Sequence, residues 1–235
     1  MEFSALNRTD DHRIREVDFL RGIALILMII FHAVFDLREF YDYPVQYGAG
    51  IYFYIGKVSV ILFILVSAVS CSFSRHNPGR ALKLLAAAFL ITVVSHLYDP
   101  QYGIKFGILH FLGTGILLYP LVRKLNMYSL LILGTLIILM GQYLGGVTVK
   151  HNYLFLFNLT DNSWVSADYY PLAPWLGVFL YGIALGKLLY PQKRSLCGLG
   201  PHNDMISFIG RHTLKVYLVH QPLLLLAIGA YEKLK

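Results

Sequence analysis

Apolar runs of about the length that crosses a bilayer, roughly 20 residues, recur along the chain at Val17–Leu37, Ile51–Phe73, Ala81–Leu97, Phe106–Val122, Met127–Leu144, Pro171–Tyr190 and Met205–Ala230. With 57% hydrophobic residues against 14% charged and a mean hydropathy of +0.58, the chain exceeds the apolar share of ordinary soluble domains. The pattern predicts an all-α polytopic transmembrane bundle of about seven spans. Lys57 falls within the second run and leaves its edge open. The first run ends in charged residues rather than a small-residue cleavage site, so it is expected to remain as a span. No stretch between runs is long enough for a second core, so residues 1–235 are expected to form a single transmembrane domain.

Charge asymmetry predicts orientation. A cytoplasmic N-terminus puts Arg8, Arg13, Arg15, Arg75, Arg80, Lys83, Arg123, Lys124, Lys187, Lys193 and Arg194 inside, against Arg38, Lys105, Lys150, Lys233 and Lys235 outside. Most acids beyond the spans then fall outside. This bias accounts for the net charge of +7 without a nucleic-acid partner. Cys71 and Cys197 fall near inner ends of spans, a poor place for a structural disulfide, and read as thiols. The longest connection, Gly145–Tyr170, is rich in Asn, Asp and aromatic residues; it reads equally as a solvated connector and as a functional lid.

The first span carries Asp18, Arg21, His32 and Asp36 in an otherwise apolar run. At about 100° per residue the four fall on one stripe about 60° wide. Ionisable groups in lipid are costly and face a protein interior or wet cavity, paired with one another. Asp18 and Arg21, at i and i+3, and His32 and Asp36, at i and i+4, are spaced to pair. Two structural polar pairs would satisfy the pattern, and so would a functional channel along this face.

His96, His110 and His220 fall at about the depth of His32, and four histidines at one level point to proton transfer or ligand binding. Toward the inner side Arg21 is joined by Arg75, Arg80, Lys83, Arg211 and Lys215, most of which positive-inside bias alone would supply. Arg21 and His32 are separated by roughly 16 Å along a helix. A long substrate with an anionic head and a reactive tail fits that span, as a coenzyme A thioester does. A histidine near neutral pH is a suitable general base for a hydroxyl or amine attacking the thioester.

The run "VDFLRGIALILMIIFH" resembles the first transmembrane segment of the heparan-alpha-glucosaminide N-acetyltransferase catalytic-domain family. Its Asp-x-x-Arg-Gly start, with a histidine eleven residues after the arginine, is also similar to membrane acyltransferases that O-acetylate surface polysaccharides. The stretches "FGILHFLGTGILLYP", "DYYPLAPWLGVFLYGIALG" and "FIGRHTLKVYLVHQPLL" resemble prokaryotic members of the first family, so the likeness spans most of the chain. It implies a multi-spanning cell-membrane acyltransferase that takes acetyl groups from cytoplasmic acetyl-CoA, as co-substrate and without a metal, to a glycan or amino-sugar acceptor opposite. The implied donor site comprises Asp18, Arg21 and Gly22, to which the inner-side cations Arg211 and Lys215 are added. The implied transfer point is His32, with Asp36 holding its imidazole and His110 as a further catalytic histidine. Pro171, Pro174 and Trp175, with Tyr217 and His220, also match the family pattern; Trp175, Tyr217, His220 and His96 are expected to line the substrate pocket. The eukaryotic heparan enzyme has an asparagine in place of His32, so that assignment rests on the polysaccharide acyltransferases and on the helical stripe.

Two other classes use buried Asp, Arg and His. A transporter or proton-coupled channel would, although the runs show neither an inverted repeat nor paired broken helices. A haem protein would use histidines as axial ligands, although here the four histidines lie on four different spans.

Overall fold

The structure is a computed structural model and describes residues 14–196 and 204–234. Arg8, Arg13, Cys197 and Lys235, which entered the arguments on orientation and thiols, lie outside the described residues. Helices are α1 (Arg15–Tyr41), α2 (Gly50–Cys71), α3 (Asn77–Tyr98), α4 (Ile108–Val122), α5 (Met127–Leu144), α6 (Leu172–Leu189), α7 (Met205–Arg211) and α8 (Thr213–Leu234), with 3-10 segments at Pro100–Tyr102 and Asn152–Phe157. No strand occurs among the described residues; isolated bridges join Phe106 to Tyr169 and Thr148 to Thr160. The fold is an all-α polytopic bundle, as expected.

Six helices, α1, α2, α3, α5, α6 and α8, are long and apolar enough to cross a membrane, and α4 is a shorter apolar helix of 15 residues. Lys57 lies inside α2, exposed, with its ammonium 5.3 Å from the Phe53 ring centre. The last apolar run is not one helix. It breaks at His212, whose N–H turns back to Ile209 O, while Thr213 Oγ1 donates to Gly210 O at 2.5 Å; α8 begins there.

Two α-helix starts are capped by the side chain of the residue before them. Asn126 accepts the Ser129 N–H at 2.8 Å to start α5, and Asp204 accepts the Ser207 N–H at 2.6 Å to start α7. Asn77 donates to Cys71 O at 2.9 Å, fastening the α2–α3 turn. Cys71 itself donates to Ser67 O.

The helices group into two compact units: residues 1–66 with 194–235, and residues 67–193. In the first, α1 packs against α7 and α8. A Cβ on Gly22 would meet Ile206 O, and one on Gly210 would meet Asp18 O, so only glycine lets these helices cross so closely. Its core gathers Ala24, Leu25, Met28 and Phe63, with Ile209, Val216 and Tyr217 around them. In the second unit α5 lies against α6 and α3 against α4. Gly177 abuts Gly134 O, and Gly141 abuts the Ala173–Pro174 backbone, which again permits close helix approach. Lys187 donates to Leu125 O at 2.5 Å and to Arg123 O at 2.8 Å, tying the α4–α5 turn to the end of α6.

Candidate functional site

In the first unit α1 and α8 run side by side in the same direction. Gly210, just before α8, abuts Asp18; His220 meets His32; Gln221 meets Asp36; Tyr43 O–H donates to Glu232 at 2.6 Å beyond the end of α1. Two polar levels along α1 are thereby matched by α7 and α8.

At the lower level Arg21 Nη1 pairs with Asp18 Oδ1 at 2.6 Å, with Asp18 buried and Arg21 half-buried. This is the pair that the i, i+3 spacing predicts. Arg15 stands 3.6 Å from Asp204, and Glu16 accepts from Ser195 Oγ at 2.8 Å and Leu196 N at 2.7 Å. Gly22 faces the α7 backbone. Arg211 follows Gly210 and lies 5.9 Å from the Phe208 ring centre, and Lys215 is exposed one turn later. Arg75, Arg80 and Lys83 belong to the second unit, where Arg80 donates to Asn77 Oδ1 at 3.1 Å and to Ser70 O at 3.4 Å.

At the upper level the expected pairing of Asp36 with His32 gives way to a different one. Asp36, fully buried, accepts from Gln221 Nε2 at 2.6 Å. His32 makes no hydrogen bond among the described residues. Its ring stands edge-on to Phe31 at 5.9 Å and to His220 at 5.0 Å. Residues i and i+4 share a helix face, but a carboxylate there also meets whatever the neighbouring helix presents, and α8 presents an amide. His220 is buried, its Nδ1 is bonded to Tyr217 O at 2.5 Å, and the Tyr217 ring lies 5.2 Å from its own. Gln221 is the residue that the sequence argument passed over; its signal was adjacency to His220 in a span otherwise nearly free of polar groups.

The four histidines thus form two pairs, one in each unit. In the second unit His110 and His96 share Thr92. His110 Nδ1 accepts the Gly107 N–H at 3.2 Å and Nε2 lies 3.3 Å from Thr92 Oγ1, so both ring nitrogens are engaged at the start of α4. His96 Nδ1 donates to Thr92 O at 2.8 Å, and its ring packs on Gly103. Asp168 completes the α4 start by accepting the Ile108 N–H at 2.8 Å, and desolvation pushes its carboxyl from 3.8 up to about 6 despite that bond. Burial likewise pushes the Tyr169 hydroxyl up to about 12; that hydroxyl donates to Phe155 O. Trp175 meets Tyr170 edge-on at 5.2 Å.

The 145–171 connection is therefore packed rather than simply solvated. Phe155 stacks on Trp164 at 5.2 Å, Lys105 Nζ lies 4.4 Å above Trp164, and Lys105 N donates to Ser166 Oγ at 3.1 Å. Thr92, Asp168 and Gly210 were not expected as site-ordering residues. Asp168 meets Ile108, 60 residues away, and Gly210 abuts Asp18 of the first helix, whereas Thr92 meets His96 on its own helix and His110 18 residues along.

A multi-pass all-α membrane protein with two polar levels aligned along its first helix is the class that these features define. The family model described as heparan-alpha-glucosaminide N-acetyltransferase, catalytic, matches residues 13–222. The chain belongs to that family, a family of membrane acetyltransferases, and the match takes in every helix up to the middle of α8. Searches of curated proteins and of solved structures return no significant match.

Proposed function

We propose that the protein is a cell-membrane enzyme that moves an acetyl group from cytoplasmic acetyl-CoA to a sugar amine or hydroxyl on the opposite side. The observation that carries this reading is the alignment of the Asp18–Arg21 pair and the His32/His220/Asp36 level on one face of α1, within one compact unit. Arg21 and Arg211 present guanidinium donors of the kind that recognise phosphate, with Lys215 as a further cation. Gly22 contributes by letting α7 bring Arg211 to that level. The pantetheine arm has a length to match the rise between the two levels, and Tyr217 flanks the upper one.

At the upper level His32 is the general base. Its ring nitrogens make no hydrogen bond among the described residues, so a lone pair is available to take the proton of the attacking group. His110, with both nitrogens engaged, orders the start of α4 and is assigned a positioning role. His96 and Trp175 help to shape the second unit's connections.

The direct test is a titration of purified protein with acetyl-CoA. Arg21→Ala is expected to weaken binding and Arg21→Lys to restore it only in part, because a point charge does not reproduce the guanidinium fork. Equal affinity in all three proteins removes Arg21 from the donor site. Mass spectrometry of envelope glycans after gene deletion then identifies the acceptor by its loss of acetyl groups.

A further inference from the structure

Beyond His32, the facing surfaces of α1 and α8 hold three buried polar atoms with no hydrogen-bond partner among the described residues: Asp36 Oδ2, Gln221 Oε1 and His220 Nε2. Buried polar atoms are nearly always paired, so three in one layer call for a cause. Asp36 is fully buried and His220 is 8% exposed. Asp36 and Gln221 are joined through Oδ1 and Nε2 at 2.6 Å, which leaves one oxygen of each without a partner among the described residues. His220 adjoins Gln221 in sequence and faces His32, one turn from Asp36.

All three atoms have the same hydrogen-bonding character. Gln221 uses its amide N–H on Asp36, and its Oε1 can only accept. His220 donates Nδ1–H to Tyr217 O, which fixes the tautomer and leaves a lone pair on Nε2. Asp36 Oδ2 is an acceptor as well whenever the carboxyl is ionised. No group of three or more His, Cys, Asp or Glu residues suited to a metal ion occurs among the described residues. What the layer lacks is a donor of hydrogen bonds.

We propose that Asp36 Oδ2, Gln221 Oε1 and His220 Nε2 form the pocket for the attacking amine or hydroxyl of the acceptor, with Gln221 as the residue that positions Asp36. This rests on the acetyl transfer proposed above and assigns Asp36 to the nucleophile rather than to His32. An amine brings two N–H groups and a hydroxyl one O–H to acceptors of this kind, whereas a thioester carbonyl brings none. The pocket therefore separates nucleophile from donor. As the nucleophile's lone pair forms a bond to the acetyl carbon, its proton passes to His32. The carbon–sulfur bond breaks, and His32 returns the proton to the leaving thiolate, giving acetylated acceptor and the free thiol of coenzyme A.

The test uses full-length protein in nanodiscs, acetyl-CoA, and two soluble probes: glucosamine, which offers an amine, and methyl glucoside, which offers only hydroxyls. Gln221→Met removes the clasp at similar size. It is expected to lower kcat/KM for the accepting probe about tenfold or more, the scale of one hydrogen bond to a charged group, while acetyl-CoA affinity stays within about twofold. Gln221→Glu, which keeps the shape but turns an acceptor toward Asp36, is expected to lose more. It also carries the test if the Met variant does not fold. Transfer to glucosamine alone identifies an amine pocket, and transfer to methyl glucoside a hydroxyl pocket. Wild-type kcat/KM in both Gln221 variants overturns the proposal, as does a parallel loss of acetyl-CoA binding. Failure of the wild-type protein to bind acetyl-CoA overturns instead the function on which it rests.

Discussion

In the proposed reaction His32 is the residue on which the chemistry turns, and its surroundings make that role separable from binding. His32→Ala removes an imidazole whose contacts among the described residues are with the rings of Phe31 and His220. It is expected to leave acetyl-CoA affinity nearly intact and to lower transfer by about 10² or more, the usual scale for a general base. A wild-type rate in that variant would sink the mechanism; joint loss of binding and transfer would move His32 into the donor pocket. Asp36→Asn keeps an oxygen for the Gln221 amide, so it is expected to cost less than His32→Ala. The sequence made the stripe of four polar residues legible, because helical periodicity fixes which side chains share a face. It also made the Asp18–Arg21 pair legible. It could not show that Asp36 would choose Gln221, 185 residues away, since spacing along one helix says nothing of what the next helix presents.

Among the elements, two contacts govern whether the polar levels form. The α1–α7 crossing depends on Gly22 and Gly210, each pressed on the other helix's backbone. Because backbone cannot swing aside as a flexible side chain would, Gly210→Ala is expected to destabilise the protein by about 1–3 kcal/mol, the range for overpacking. Thermal unfolding in detergent checks this, and an unchanged melting temperature would show that the helices part without cost. Asp168 governs the start of α4. Its carboxyl, raised from 3.8 to about 6, holds a proton in the folded protein through a range where the unfolded chain has released it. Its contribution to stability is therefore greatest below pH 4 and declines as pH rises through about 6. Asp168→Asn retains an oxygen for the Ile108 N–H and cannot ionise, so the slope of melting temperature against pH between 4 and 6 should flatten. An unaltered slope would assign the pH dependence to other groups. The helices themselves were legible as apolar runs. The packing of the 145–171 connection was not, because its stacked rings and the Asp168 cap pair residues with no periodicity to announce them.

For the whole molecule the decisive question is how many times the chain crosses, and it turns on α4. Its 15 residues rise only about 22 Å, short of the roughly 30 Å hydrocarbon core. If α4 did not cross, every later connection would change sides. Contacts within the second unit answer this. Gly186 lies against Ser72 in the α2–α3 turn, and its neighbour Lys187 binds the carbonyls of Arg123 and Leu125 in the α4–α5 turn. Both turns therefore meet the same end of α6, so α3 and α4 together go out and return. At the other end the α3–α4 connection is tied to the 145–171 segment through Lys105 to Ser166 and Ile108 to Asp168. The end holding both turns carries Arg75, Arg80, Lys83, Arg123, Lys124 and Lys187, while the opposite end carries Lys105 and Lys150 beside Asp99, Asp161 and Asp168. Positive-inside bias predicts that the first end is cytoplasmic. On a background without Cys71 and Cys197, a cysteine at position 124 should be protected from an impermeant thiol reagent in intact cells, and one at position 160 should be labelled. A cysteine at position 10 should be protected as well, since two further crossings, α1 and α2, separate it from the α2–α3 turn. Labelling at 124 with protection at 160 would invert the molecule and put the His32 level on the cytoplasmic side; matching results at 124 and 160 would mean that α5 does not cross.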